Sequence, residues 1–235
     1  MTIFVATVEK RTKLPCDLCI QCGSEVEDPL EQALKFLQPL RTLAADRIDT
    51  HLMAFEIYYR KEKPLLMLQS IKRAWRLDRE HHQLQWCVVR FTRWLEDSLA
   101  ALQPDVATVL TAETQPMVGG RSSVQMAEEL AGGAGRSQAA ALWGARALLH
   151  VLPERRRPAL ERATALHYPD LSIQGCVEVL DSLRDGDFGP CEKEIEEYME
   201  ACRGKFPHAL AFKPPADEDN HVDDAPLQPK EIANN

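Results

Sequence analysis

The sequence predicts an all-α fold built from antiparallel helical hairpins of the α-solenoid or tetratricopeptide-like type, with disordered ends. Two observations carry this prediction. Apolar residues recur at helical spacing along most of the 235 residues, and no segment alternates between apolar and polar residues as a half-buried strand does. The connections between the helical segments are short, which favours antiparallel neighbours.

The first helices can be located from their end signals. A helix is predicted to begin at Pro29, because proline suits the first helical position and Asp28 is a good N-cap. The next helix is predicted to start at a cap formed by Asp49 or Thr50. Pro64 closes that helix and opens the following one. A longer fourth helix has one continuous apolar stripe, formed by Leu84, Val88, Phe91, Leu95 and Leu102.

The middle of the chain has a weaker pattern. From Gln103 to Gln138 glycines occur in "VGGRSS" and "AGGAGRS", so we expect a weakly ordered stretch with two short helices, near Val106–Glu113 and Val124–Leu130. Further on, Pro158 is predicted to open a short helix that runs through Leu166. Other helices are indicated by the apolar sets Leu142, Ala145, Leu149 and Leu152, then Cys176, Val179, Leu180 and Leu183, then Ile195, Tyr198, Met199 and Cys202.

The pattern of apolar and polar residues predicts three parts in the chain. Residues 1–24 are predicted to be a divergent, disordered leader, and residues 25–212 an α-helical domain. Residues 213–235 form an acidic tail with few residues to bury, which predicts disorder.

Composition limits the classes of function. The formal net charge of −8 argues against binding nucleic acid over the whole surface, although a local basic patch remains compatible with it. No apolar run reaches the roughly 18 residues of a membrane span. The N-terminal charges follow the apolar run instead of preceding it, which is the wrong order for a secretory signal. We therefore expect a cytoplasmic protein, and a nuclear pool in addition is compatible with the sequence. Cys87, Cys176 and Cys202 are expected to be buried, reduced thiols.

The segment "THLMAFEIYYRKEKPLLMLQSIKRAWRLD" fits the helix–turn–helix spacing of a tetratricopeptide unit. With Tyr58 at the aromatic position of the first helix, Met67, Ile71 and Ala74 take the expected positions in the second. Phe55 stands where a small residue is usual. The alternative is an ordinary hairpin of a solenoid or bundle, and in both cases neighbouring helices must cover its apolar faces.

Four stretches occurring in order resemble one known family: "EDPLEQALKFLQPL", the hairpin segment above, "CVEVLDSLRDGDFGPCEKEIEEYMEAC" and "FPHALAFKPP". Together they resemble the C-terminal region of the auxiliary subunit of the NatA N-terminal acetyltransferase complex, from about Glu25 to Pro215. The resemblance is strong over Glu25–Arg93 and Gln174–Pro215 and poor through the glycine-rich middle. It indicates a short form or a fragment of that subunit.

The resemblance implies a non-catalytic protein. The family is a tetratricopeptide-type scaffold that wraps around and orients a separate catalytic acetyltransferase subunit, which holds acetyl-CoA, and it helps to place the complex at the ribosome. The expected partners are therefore the catalytic subunit, associated regulatory proteins of the NatA complex and the ribosome, with neither DNA nor a membrane among them. No cofactor is expected on this chain.

The residues themselves offer no catalytic site. The sequence has no G-x-x-x-x-G-K-[ST] or G-x-G-x-x-G loop, no acetyl-CoA loop, and no Ser or Cys nucleophile at a strand-to-helix turn. The thiols in "CDLCIQC" (Cys16, Cys19 and Cys22) lack a nearby fourth ligand for zinc, so a chance cluster is favoured over a metal site. We expect no catalytic, cofactor-binding or metal-binding residues.

Three further polar motifs have structural explanations. His81 and His82 are read as a surface loop. Asp185 and Asp187 in "RDGDFG" do not follow the calcium-loop pattern, and a helix C-cap at Gly186 explains them better. The basic run 155–157 is read as a plain surface run at a helix start, with a partner contact as the alternative.

One group of side chains is a candidate binding surface. A basic group extends across the hairpin and could contact RNA phosphates or an acidic partner; its members are Arg60, Lys61, Lys63, Lys72, Arg73, Arg76 and Arg79. The alternative is a solvated face that balances the acidic C-terminal region. Two functions follow: a scaffold acting through protein–protein contacts, or a ribosome- or RNA-contacting helical module that uses the basic face Arg60–Arg79.

Overall fold

A computed structural model describes residues 28–133 and 137–213. Within these residues the chain forms ten α-helices and no strand, which confirms the predicted all-α class. The predicted leader lies outside the described residues, as does the predicted tail after Lys213. The helices are α1 Pro29–Leu43, α2 Ile48–Arg60, α3 Pro64–Leu77, α4 His82–Ser98, α5 Pro104–Val118, α6 Ser123–Gly132, α7 Gln138–Val151, α8 Arg156–Ala163, α9 Ile173–Arg184 and α10 Glu192–Lys205.

The chain divides into two compact units, and the first lies within Met1–Arg79 and Gln103–Thr111. Here α2 packs against both α1 and α3, and only three of its residues are exposed. The residues that the repeat template placed inside are buried, including Tyr58 at 6 % exposure and Met67 and Ala74 at 0 %. Phe55 is also buried and contacts Tyr59. The hairpin is therefore formed by α2 and α3, as the sequence indicated.

The helix ends agree with the predictions in part. Asp28 caps α1 by accepting hydrogen bonds from the backbone N–H groups of Leu30 and Glu31, at 3.0 and 3.1 Å. The predicted cap of α2 is wrong. That helix starts at Ile48, and Asp49 lies in its first turn, where its carboxylate pairs with Arg47 and suits the positive end of the helix dipole.

Two other helix limits differ from the expectation. Leu102 does not continue the stripe of α4, because that helix ends at Ser98 and a 3₁₀ turn, Leu99–Ala101, follows it. The other four stripe residues are buried. Helix α8 begins before Pro158, after a 3₁₀ turn over Pro153–Arg155, and ends at Ala163 instead of Leu166. Proline is tolerated there because the N–H groups of the first helical turn have no acceptor within the helix, so a residue without an N–H loses no hydrogen bond.

The second unit lies within Glu80–Leu102 and Ala112–Asn235 and is built around α7. The two helices expected in the glycine-rich stretch are present and longer than predicted: α6 belongs to this unit, and α5 has residues in both units. Helix α6 starts with a capping box between Ser122 and Gln125. Glu96 of α4 strengthens this start, because its carboxylate accepts hydrogen bonds from the N–H and hydroxyl of Ser123 at 2.8 and 2.6 Å.

A buried polar side chain joins three segments of the second unit. Gln138, 3 % exposed, opens α7, and its backbone N–H donates to Asp170 at 2.8 Å. Its side-chain amide donates to the Cys176 thiol at 3.3 Å and accepts a hydrogen bond from the backbone N–H of Ser172 at 3.3 Å. Since a buried amide without partners would cost stability, these contacts fix where α9 begins relative to α7.

The predicted burial of three thiols is confirmed. Cys87, Cys176 and Cys202 are reduced and have no exposed surface. Burial raises the pKa of Cys202 to about 12, so this thiol stays protonated at neutral pH. It behaves as a small apolar residue of the core.

Candidate partner-binding surface

Three of the seven predicted basic residues lie close together on α3. Lys72, Arg73 and Arg76 fall within an arc of about 100° around the helix, because successive residues are separated by about 100° in an α-helix. The opposite side of α3 carries the buried residues Met67 and Ile71. Helix α3 contains no acidic residue, so its outward side has a concentrated positive charge.

The same side of α3 also exposes leucines, and together with the three cations they span an arc of about 140°. Leu65, Leu66 and Leu77 have 49, 36 and 43 % of their surface exposed. Leu65 precedes Lys72 by two helical turns, and Leu66 stands in the same relation to Arg73, so each leucine shares a stripe with a cation. We call these six residues the α3 outer face: Leu65, Leu66, Lys72, Arg73, Arg76 and Leu77.

Two other members of the basic group belong to ion pairs. Arg60 pairs with Glu56 at 3.0 Å, one turn earlier in α2. Lys61 pairs with Glu31 of α1 at 2.5 Å, and this hydrogen bond raises the pKa of the Lys61 ammonium. Both cations are thus engaged within the first unit.

The remaining two members flank α3. Lys63 precedes the helix, and its carbonyl accepts the first helical hydrogen bonds, from the N–H groups of Leu66 and Met67. Arg79 lies two residues beyond the helix end. The chain therefore places the cations at different points of the hairpin, and only Lys72, Arg73 and Arg76 share one helix face.

Arg41 is a contributor to this region that sequence reasoning missed. From the last turn of α1, its guanidinium donates to the hydroxyl of Tyr58 at 3.0 Å and to the side-chain oxygen of Gln69 at 3.2 Å. Gln69 lies on α3 between Leu65 and Lys72 along one stripe. Arg41 thus ties α1, α2 and α3 together and adds a cation beside the α3 outer face. No local sequence signal reports contacts between residues 17 and 28 positions apart.

Gly186 and Asp187 in "RDGDFG" have structural roles. Gly186 follows α9 with φ of 75°, and its N–H donates to the carbonyl of Leu183, as expected of a glycine that terminates a helix. The carboxylate of Asp187 pairs with Arg146 at 2.7 Å and accepts the Ser182 hydroxyl hydrogen bond at 2.9 Å. The C-cap interpretation is confirmed.

Each arginine of the basic run 155–157 has a partner inside the second unit. Arg155 pairs with Glu128 at 3.4 Å, and Arg157 pairs with Glu161 at 3.0 Å. Arg156 donates to the carbonyls of Phe188 and Pro190, and so holds the turn that joins α9 to α10. At least Arg156 is therefore a structural residue, whereas the sequence interpretation was a plain surface run.

Helices α8 and α10 enclose an open groove of about 500 Å³. Its polar lining carries both signs of charge, from Arg156 and Arg157 on one helix and Glu194 and Glu197 on the other. Arg156 already donates to backbone carbonyls and Arg157 pairs with Glu161, so neither arginine of the groove is free to bind an anionic ligand.

The histidine and cysteine motifs give no metal centre in the described part of the chain. His81 stands at the N-cap position of α4 and His82 is its first residue, so they lie at a helix start. Residues 28–133 and 137–213 contain no group of three His, Cys, Asp or Glu side chains arranged to hold a metal ion. Cys16, Cys19 and Cys22 lie outside the described residues.

None of the helices within residues 28–133 and 137–213 combines the length and the apolar character that crossing a membrane requires.

The fold and the surface together define an all-α protein of helical hairpins with a mixed basic and apolar helix face. Comparison with protein families gives a match over residues 8–74 to the model of the N-terminal acetyltransferase A auxiliary subunit. These residues include α1, α2 and most of α3.

Known relatives carry the same description. The chain is 38 % identical over 195 residues to the human protein N-alpha-acetyltransferase 16, NatA auxiliary subunit, covering 82 % of this chain and 22 % of the relative. The mouse protein of that name is 36 % identical over 216 residues, covering 88 % and 25 %. An Arabidopsis thaliana N-terminal acetyltransferase A complex auxiliary subunit, NAA15, is 34 % identical over 67 residues, covering 28 % and 8 %.

These matches confirm the resemblance found in the sequence: over most of its length, this chain is related to a part of the NatA auxiliary subunits. It spans about a quarter of the length of the mammalian relatives.

Proposed function

We propose that this chain is a non-catalytic auxiliary component of an N-terminal protein acetyltransferase complex and acts through protein–protein contacts. The observation that carries the proposal is the 38 % identity, over 82 % of the chain, to a protein named as a NatA auxiliary subunit. An auxiliary subunit implies a separate catalytic subunit, which is the expected partner. Acetylation of nascent chains at the ribosome, in the cytoplasm, is part of the same proposal.

The architecture supports a role in binding. Stacked helical hairpins present long helix faces, and proteins of this type use such faces as extended interaction surfaces. Large apolar side chains are left exposed on two of the first unit's helices, with Phe36 and Leu43 of α1 at 73 and 84 % exposure and Leu65 of α3 at 49 %. Phe36 and Leu43 are seven residues apart and so share one stripe of α1, and exposed apolar stripes of this kind are typical of protein–protein contacts.

A second function is contact with the ribosome or with RNA through the basic face Arg60–Arg79. It is favoured by one observation, the placement of Lys72, Arg73 and Arg76 on one side of a helix that has no acidic residue. Such a face would bind phosphates, and its affinity would fall steeply with salt because bound counterions are released.

A pull-down of the tagged 235-residue chain from cell lysate, washed at low and at high salt, tests the two functions. Recovery of the catalytic acetyltransferase subunit at both salt concentrations supports the auxiliary role, since apolar helix packing resists salt. Ribosomal material retained only at low salt, without the catalytic subunit, supports the RNA-contacting role. The partners are identified by mass spectrometry.

A further inference from the structure

The α3 outer face has two chemical characters on one surface. Arg73 and Arg76 have no ion-pair partner among the described residues, and three leucines flank the cations on the same side of the helix. The face extends from Leu65 to Leu77, about 18 Å along the helix axis. A ligand that covers it must offer both negative charge and apolar surface over that length.

Resting on the proposed function, we infer that the α3 outer face binds an acidic amphipathic helix of the catalytic acetyltransferase subunit. A helix laid along α3 can place leucine-sized side chains against Leu65, Leu66 and Leu77 while its carboxylates reach Arg73 and Arg76. Recognition of this kind uses anchors spaced by three, four and seven residues. The leucines and cations of α3 have this spacing. Leu65 and Lys72 are seven residues apart, as are Leu66 and Arg73. Lys72 and Arg76 are four residues apart, as are Arg73 and Leu77.

RNA fits this face less well. Phosphates would satisfy the guanidinium groups of Arg73 and Arg76, but a phosphate backbone has no apolar groups that would cover Leu65 and Leu77. The position of the face supports a protein partner as well. Most of it lies within residues 8–74, the part of the chain that matches the auxiliary-subunit family.

The experiment compares two pairs of substitutions with matched controls, in the full chain. Arg73→Glu with Arg76→Glu reverses the charge, and Leu65→Ser with Leu77→Ser removes the apolar contacts. The controls are Lys35→Glu with Lys205→Glu, at two exposed lysines elsewhere, and Leu99→Ser with Leu210→Ser, at two exposed leucines elsewhere. The four positions changed on α3 are exposed or half-buried, so each variant should keep its helical circular dichroism.

Affinity is measured for the purified catalytic acetyltransferase subunit and, in parallel, for a short double-stranded RNA. We expect each α3 pair to weaken binding of the subunit by about tenfold or more, and each control pair by less than about twofold. If the wild-type chain binds the subunit and both α3 pairs bind it as the wild type does, the inference about this face is wrong while the proposed function stands. If the wild-type chain does not bind the subunit, both are wrong.

A nucleic-acid site would give a different result. In that case the arginine pair would abolish RNA binding and the leucine pair would leave it unchanged. Neither pair would weaken binding of the catalytic subunit. This combination would overturn the inference in favour of phosphate recognition. Hydroxyl-radical oxidation of the wild-type complex provides a measurement without substitutions. The inference requires Leu65, Leu66 and Leu77 to be protected by the subunit, and unchanged oxidation of all three would contradict it.

Discussion

Gly144 of α7 lies against Ala131 of α6 so closely that a methyl group on Gly144 would come within 2.9 Å of the Ala131 Cα atom. The same methyl group would lie 2.9 Å from the carbonyl oxygen of Leu130. Both contacts are with backbone atoms, which cannot move aside as the end of a flexible side chain can. The contact between α6 and α7 in the second unit therefore depends on glycine at this position.

Replacing Gly144 by alanine should destabilise the second unit, because the two helices must move apart. Overpacking of this kind costs about 1–3 kcal/mol or more in free energy of unfolding. The matched control is Gly204→Ala in α10, where an added methyl group meets no atom within 4 Å. There the change from glycine to alanine in a helix should be neutral or stabilise by up to about 1 kcal/mol. Urea denaturation of both variants measures the difference, and equal midpoints would contradict the packing argument.

The stability of the second unit should depend on Asp170 in acid. Partial burial by itself would raise the pKa of this carboxyl, but hydrogen bonds from the Gln138 backbone N–H and the Ser137 side chain outweigh it and lower the pKa. Because the folded state favours the ionised form, its contribution is present above about pH 4 and is lost as the pH falls through the lowered pKa.

The variant Asp170→Asn lacks this titration. At neutral pH we predict a lower free energy of unfolding for the variant than for the wild type. Between neutral pH and about pH 3 the free energy of unfolding of the variant should fall by less than that of the wild type. Urea denaturation at a series of pH values measures both quantities. Parallel curves for the two proteins would show that the carboxylate does not stabilise the start of α7.

Helix α1 should be the most easily opened helix of the first unit. Leu37 is its one buried residue, whereas α2 has six and α3 has five. Since local opening is favoured where few side chains are buried, amide protons of residues 29–40 should exchange faster than those of α2 and α3, and faster than those of Ile195–Cys202 in α10. Hydrogen exchange followed by mass spectrometry resolves these helices, and exchange in α1 as slow as in α2 and α3 would be inconsistent with this ranking.

Some features of the fold could be read from sequence because their causes are local. The start of α1 follows from Asp28, which accepts hydrogen bonds from the N–H groups of Leu30 and Glu31, and from Pro29, whose fixed φ suits the first helical position. The buried positions Met67 and Ile71 of α3 follow from helical periodicity alone. The same periodicity places Lys72, Arg73 and Arg76 on one side of α3.

Other features depend on contacts between distant residues, which no local pattern reports. The pairing of Lys61 with Glu31 removes one cation from the predicted basic group, and Arg41 enters the same region from another helix. That the basic group Arg60–Arg79 faces a partner stays a prediction.

The proposed function requires this chain to assemble with a catalytic acetyltransferase subunit, and reconstitution from purified proteins tests this assembly. The purified wild-type chain and the purified catalytic subunit are mixed at about 0.1 M and about 0.5 M salt, and the mass of the product is measured by light scattering during size-exclusion chromatography. We predict a complex of defined mass at both salt concentrations, because exposed apolar side chains contribute contacts that salt does not screen. Two separate peaks at both concentrations would show that the chain does not assemble with the catalytic subunit.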